Sequence, residues 1–310
     1  MTPRKTEAER RLTAGVELID ALDEWDLVMR QLNRSPETRK TYATSVTQLH
    51  RHQVERDAPT VVDGIRAADV RSYLIAVLDR TSASTAVTRW GGLLAFFKWA
   101  TAEGLCLDDP MTDVDRPQRP ELLTPVLSDD EIRAMFATCR GDFDGIRDTA
   151  LMRFLLTTGC RRTECANLEL DDVDLRAQTV RVMGKGRRER LVHLEDGTAL
   201  ALRRYLRARK MHPKAMTTER LWIGKIGPLG GGGIQQVLKR RAERAGVERA
   251  NPHAWRHAFA HRWLSAGGTE GGLMSEAGWR SSQMVRRYAR SAAAERGRAE
   301  HARLNIAGDL

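Results

Sequence analysis

At 310 residues the chain is long enough for two domains, each with a core of its own. Lys and Arg outnumber Asp and Glu by 51 to 41, a formal net charge of +10, which is the balance of a protein that meets a polyanion. No apolar run approaches the ~20 residues of a membrane span. The start of the chain (MTPRKTEAERR) lacks the apolar core of a secretory signal. Four scattered cysteines (Cys106, Cys139, Cys160, Cys165) form neither a disulfide framework nor a paired zinc motif, so a reduced, cytoplasmic protein is expected.

Residues 1–16 are charged and read as a flexible N-terminus, followed by a helical bundle over 17–112. Val16, Ile19, Leu22, Trp25 and Leu27 have the spacing of an amphipathic helix. Ser35-Pro36 with Glu37 is a helix start, and Arg39, Lys40, Tyr42, Val46 and Leu49 follow on that helix. A third helix is predicted over 67–79. A fourth starts near Ser82 and carries Arg89, Phe96, Phe97, Lys98 and Trp99. Basic residues at exposed helix starts suit a DNA-gripping bundle, although a solvated basic face reads the same way.

Asp109-Pro110 closes the bundle, and the prolines of 113–127 make a stiff, basic linker. Ser128-Asp-Asp-Glu131 is a capping box that opens a second domain over 128–290. An apolar helix over 145–158 comes next, with Cys160 and Cys165 expected as core residues of one helix. Strands at 179–183 and 191–194 flank a basic turn, Gly184-Lys185-Gly186-Arg187-Arg188. Helices at 198–209 and 234–245 follow, the second preceded by a glycine run that no Gly-Lys-Ser/Thr continues into a phosphate loop. The fold class expected is mainly α with one small β-sheet.

Four features carry chemistry. In Thr158-Gly-Cys-Arg-Arg-Thr-Glu164, Arg161 and Glu164 stand three apart, so the carboxylate can hold the guanidinium while leaving donors free. Arg162 points elsewhere, toward solvent. Lys185 sits between two glycines at a hairpin tip, where a flexible point charge reaches into a cleft. Arg188 and Arg190 read as a solvated charge run. His253 and Arg256 share a helix face. Last come Trp279 and, nine residues on, Tyr288 among Arg286, Arg287 and Arg290; alone, that tyrosine reads equally as an amphipathic anchor. His253, His257 and His261 fall at i, i+4 and i+8, but Ala254 stands where a metalloprotease helix needs Glu, so no metal is expected and His257 is read as a supporting histidine.

In this order, TGCRRTE, the GKG hairpin, HAWRH and EAGWRSSQMVRRY resemble the tyrosine recombinases, or phage integrase family, strongly over 128–290 and more loosely over the bundle as a core-binding domain. The resemblance implies that Tyr288 is the nucleophile and forms a 3′-phosphotyrosyl link. Arg161, Lys185, His253, Arg256 and Trp279 would assist, with Glu164 and His257 in support. Trp279 departs from the His that most members carry. Arg39, Lys40, Arg89, Lys98 and Arg187 are the expected DNA contacts. No cofactor is implied, because the phosphoryl bond energy stays in the covalent intermediate.

The expected activity is site-specific recombination that integrates, excises or resolves DNA at short core sites. A monomeric type IB-like topoisomerase and an idle DNA-binding accessory protein are the alternatives. Residues 1–16 are too short for an arm-binding domain, so a simple recombinase acting on double-stranded DNA with inverted core half-sites is expected, either an integrase of reduced design or a Xer-like resolvase. It would assemble as a homotetramer on DNA in the bacterial nucleoid or the phage-infected host cytoplasm. The tail at 291–310 is a possible docking segment for a neighbouring copy, with Gly297 as its bend and Leu304 among its packing residues.

Overall fold

The computed structural model describes residues 15–118, 126–184, 188–248, 250–279, 285, 297, 301 and 304. The chain divides into two compact units, residues 1–122 and 123–310. Both are mainly helical, and the only sheet among the described residues lies in the second.

The first unit holds α1 (Ala21–Gln31), α2 (Pro36–Val54), α3 (Ala67–Arg80) and α4 (Ala83–Glu103). Local chemistry sets the starts: the Ser35 hydroxyl accepts from the Thr38 amide at 3.2 Å, and Ser82 accepts from Thr85 in the same way. Trp25 anchors the core, edge-on to Phe96 at 5.2 Å and stacked with Tyr42 at 5.9 Å. At Gly92 any Cβ would lie 2.4 Å from the Ser45 hydroxyl, so glycine lets α2 and α4 approach. The first predicted helix needs correction. It begins at Ala21, and Ile19 and Leu27 are exposed, because the buried stripe is Ala21, Trp25 and Met29. Packing also runs past residue 112. Val114 is buried in this core and its carbonyl accepts from the Trp90 indole.

The second unit begins its core at Leu127, one residue before the predicted boundary. Its helices are α5 (Asp129–Ala137), α6 (Phe143–Thr158), α7 (Arg162–Asn167), α8 (Asp196–Lys210), α9 (Gly231–Ala245), α10 (Pro252–Ser265) and α11 (Glu270–Ala277). The antiparallel sheet has the order β1 (Val173–Asp174), β2 (Thr179–Gly184), β3 (Arg188–His193), with Val182 opposite Arg190. Ser128 and Glu131 form the expected capping box at α5. The core helix is α6, whose Ala150, Leu151, Met152, Phe154 and Leu155 are buried. Within it the fully buried Asp148 accepts from Arg147 and Arg241, both at 2.7 Å, which ties α6 to α9.

Three expectations for this unit change. The two-residue strand β1 was not anticipated from sequence. The glycine run supplies the first turn of α9 itself, which starts at Gly231. Cys160 and Cys165 are both buried but not on one helix: Cys160 lies in the turn between α6 and α7, because Gly159 ends α6 with φ 57°.

Candidate active site

The site is assembled around the short connection from α6 to α7. Gly159 reverses the chain, and Arg161 becomes the residue that precedes α7. Glu164 then does two jobs. Its Oε2 accepts from the Arg161 backbone amide at 2.9 Å, capping the helix start, and its Oε1 accepts from Arg161 Nη1 at 2.6 Å. The carboxylate is buried while Arg161 keeps 39 % of its side chain exposed. Arg161 is thus gripped from one side and open on the other, as its spacing from Glu164 predicted.

On α10, Asn251 caps the helix by accepting from the Ala254 amide at 3.0 Å, and Pro252 takes the first turn. This start presents His253 outward and carries Arg256 inward one turn later. Arg256 is 5 % exposed. Its Nη1 donates to the Gly159 carbonyl and its Nη2 to the Ala277 carbonyl, the latter at 2.6 Å. Its guanidinium lies 5.0 Å from the centre of the Trp279 indole. Burial and then the like charge of Arg161 push it down to about 10, so it stays charged at neutral pH.

Arg161, Arg162, Gln235, Asn251, His253 and Arg256 line an open cavity of about 450 Å³. The His253 imidazole is held below its usual value of 6.5, first by burial, then by Arg256, Arg162 and Arg161. Its ring stacks on that of the half-buried His257 at 5.6 Å. A cavity walled by guanidiniums with a neutral imidazole at its edge suits a bound phosphodiester. Among the described residues no group of three His, Cys, Asp or Glu side chains is arranged to hold a metal.

One residue of the site was assigned wrongly from sequence. Arg190 was expected in solvent, yet its side chain is 14 % exposed. Its Nη2 donates to Glu164 Oε2 at 2.9 Å and its Nε to the Glu276 carbonyl at 2.9 Å. The alternation of β3 carried part of the signal: Arg188, Arg190 and Val192 share one strand face, along which exposure falls from Arg188 at the strand start to the buried Val192. Burial alone would raise the Glu164 carboxyl, but hydrogen bonds from Arg190 and Arg161 outweigh it and hold it below the usual range. Arg162 is exposed as expected, but it also borders the cavity and donates to Gln235 Oε1, a residue the sequence did not single out.

Trp279 is buried among Phe259, Leu264, Leu273, Ala277 and Val285, immediately after Gly278 ends α11 with φ 62°. Tyr288, Lys185 and Arg187 lie outside the described residues, as does most of the 291–310 tail. Of that tail, Gly297 is helical where a bend was expected, and Leu304 is exposed.

In the first unit, Lys40 and Arg89 face one depression of about 370 Å³ between the starts of α2 and α4, with Thr41, Thr44, Thr85 and Thr88 around them. Arg39, expected beside Lys40 as a DNA contact, is instead turned onto Asp26, at 3.0 Å from its carboxylate. Lys98 is exposed on α4 but two and a half turns beyond Arg89, so it points from the opposite side of the helix.

A family model described as the Phage integrase family matches residues 125–295. The tyrosine recombinase XerD of Bifidobacterium longum (strain NCC 2705) is 32% identical over 219 residues, 66% of this chain and 71% of that protein. Among solved structures, the XerH site-specific recombinase bound to a palindromic difH substrate superposes with a TM-score of 0.72 at 19% identity, covering 87% of this chain and 80% of that one. A lambda integrase tetramer bound to a Holliday junction gives 0.68 at 14% identity, covering 91% and 83%. At these identities the two structures are likenesses of fold.

Proposed function

Because this chain belongs to the phage integrase family and is a site-specific tyrosine recombinase that cuts and rejoins DNA, we propose that Tyr288 is its nucleophile and that Arg161, Arg256, His253, Lys185 and Trp279 serve the cut. The Tyr288 oxygen attacks a backbone phosphorus, and the bond from phosphorus to the 5′-oxygen breaks. The product is a 3′-phosphotyrosyl link and a free 5′-hydroxyl. His253 takes the phenol proton, and Lys185 gives a proton to the leaving oxygen. Arg161 and Arg256 stabilise the charge that builds on the non-bridging oxygens. Rejoining reverses these steps with a different 5′-hydroxyl, so neither a metal nor a nucleotide is consumed.

The observation that carries the reading is the pair Arg161 and Arg256 facing one cavity with His253, each anchored through some of its donors and free to use others. Glu164 offsets only part of the charge gathered there, so the wall stays positive toward an anion.

The reading extends to assembly. Residues 17–112 would grip a core half-site through Lys40 and Arg89, and inverted half-sites would seat two copies. The XerH complex with palindromic difH and the lambda integrase tetramer on a Holliday junction support a palindromic site and a four-copy synapse for this chain. The 291–310 tail would dock on a neighbouring copy, and the work would be done in the nucleoid or host cytoplasm.

The test is to trap protein–DNA adducts formed on fragmented DNA and to sequence what is bound. Tyr288→Phe should bind DNA and give no adduct; undiminished adduct in that variant removes the assignment. Supercoiled plasmid lacking the recovered site separates the topoisomerase reading, which requires it to be relaxed.

A further inference from the structure

Three guanidiniums converge on three consecutive carbonyls at the end of α11. Arg190 donates to Glu276, Arg256 to Ala277 and Arg161 to Gly278, at 2.9, 2.6 and 3.1 Å. A helix leaves its last carbonyls without intrahelical partners and with partial negative charge, so arginines complete them well. Two of these arginines border the cavity. Arg190 does not line it, so its burial and its contacts with Glu164, the Glu276 carbonyl and the Cys160 sulfur need a different account.

We propose that Arg190 is a positioning residue for strand cleavage: it fixes Arg161 through the shared carboxylate of Glu164 and ties β3 to the helix end that precedes Trp279. The proposal rests on the reading of Arg161 as a phosphate-clamping residue. Glu164 Oε2 receives both the Arg161 amide and Arg190 Nη2, while Oε1 receives Arg161 Nη1. With Arg190 present, Oε2 carries two donors and Oε1 one. Without it, Oε2 keeps only the Arg161 amide, so the carboxylate is less constrained against turning toward the Arg161 side chain and drawing it off the Gly278 carbonyl.

Charge argues the same way. Arg161, Arg190 and Arg256 surround a single carboxylate, Glu164, leaving the cluster positive toward the cavity. Removing Arg190 would take one positive charge from the cluster while Glu164 stays, weakening the field at a bound phosphate. The backbone is shaped for this guanidinium. A Cβ on Gly278 would lie 3.0 Å from Arg190 Nη1 and 3.1 Å from its Cζ, so the planar group rests against the glycine. Lysine cannot substitute, since one ammonium does not span two acceptors with the fixed fork of an arginine. His193 adds a second tie between the same elements, at 3.0 Å from Glu276.

The experiment uses the full chain and nicked suicide duplexes carrying the sequence recovered from trapped adducts. Covalent adduct is followed at saturating protein for wild type, Arg190→Ala, Arg190→Lys, Arg161→Lys and the double variant Arg161→Lys/Arg190→Ala. Arg190→Ala should slow adduct formation by about 10–100-fold, the loss seen when a partner that orients a metal ligand is removed, with little change in DNA affinity. Arg190→Lys should recover little of that rate. In the Arg161→Lys background the Arg190→Ala loss should shrink to less than about threefold, because residues that act through one another are not additive.

A structural weakening would instead multiply the two losses, and that result overturns the proposal, as does an Arg190→Ala rate within about threefold of wild type. If circular dichroism finds Arg190→Ala unfolded, Arg190→Lys makes the same comparison in both backgrounds. An Arg161→Lys protein that cleaves like wild type sinks the Arg161 assignment itself, a different failure from multiplicative loss with Arg161 essential.

Discussion

The guanidinium of Arg256 lies 5.0 Å from the centre of the Trp279 indole ring, and its Nη2 donates to the carbonyl of Ala277 two residues before that tryptophan. Arg256 is therefore held by the segment that leads to Tyr288, through one polar and one aromatic contact. A His at position 279 would offer a smaller ring and a titratable nitrogen; the indole offers a broad face and a donor that carries no charge. Trp279→Phe keeps a face and removes the N–H, whereas Trp279→Ala removes both. A cation–π contact is worth ~0.5–2 kcal/mol, so the alanine variant should cleave roughly 2–30-fold more slowly through that loss alone. Single-turnover cleavage by the phenylalanine variant measures the share of the N–H; a rate equal to that of alanine would deny the ring contact any role.

Arg161 and Arg162 are neighbours with opposite environments. Arg161 is fixed by Glu164 and the Gly278 carbonyl, while Arg162 is exposed and bonded to Gln235. Arg161→Lys should cost ~10²–10³ in cleavage rate, the usual value of one preorganised donor to a developing charge. Arg162→Lys should cost less than about a tenth as much. Parallel rate measurements with the roles reversed would show that the wrong guanidinium has been chosen.

His253 yields a pH prediction. Burial and three neighbouring arginines favour its neutral form, so that form persists below pH 6.5. As the acceptor of the phenol proton it must be neutral, and the rate should fall only as pH drops through its lowered value. At subsaturating DNA, where the profile reports the free protein, the acid limb should therefore lie below 6.5 and vanish in His253→Gln. Arg162→Gln removes one like charge and should move the limb upward. A limb that stays in place in His253→Gln belongs to another group.

Gly159 is demanding in two ways. Its φ of 57° belongs to the left-handed region, and a Cβ there would stand 2.2 Å from Cδ1 of Phe259. Left-handed backbone costs an L-residue ~1–2 kcal/mol, and overpacking adds ~1–3 kcal/mol. Gly159→Ala should lower unfolding stability by about 2–5 kcal/mol in denaturant titration. Cleavage should fall as well, since the Gly159 carbonyl holds Arg256.

In the first unit, the neighbours Arg39 and Lys40 should behave differently. Lys40 is exposed beside a threonine-lined depression, and Arg39 is paired with Asp26. Lys40→Gln should weaken DNA binding and flatten the plot of log affinity against log salt by ~0.9, one phosphate contact. Arg39→Gln should leave that slope unchanged and shift stability by less than about 1 kcal/mol. Equal slopes for both variants would remove Lys40 from the interface.

What the sequence determined by itself was local or ordinal. Ser35, Ser82 and Ser128 cap the helices they were expected to start, because a cap is settled by bonds three residues long. The grip of Glu164 on Arg161 was legible for the same reason, and the order of the motifs was enough to suggest the family. Tertiary structure decided the rest, because its bonds join distant parts of the chain. Arg161 meets the Gly278 carbonyl 117 residues away, Arg256 meets Gly159 across 97, and Arg190 meets Glu276 across 86. A charged residue in a basic run looks solvated until such partners exist, which is why Arg190 was misread. The pairing of Arg39 was equally out of sight, since Asp26 belongs to the preceding helix. Burial of a charge depends on what the fold brings to it, and composition within a few residues carries no record of that.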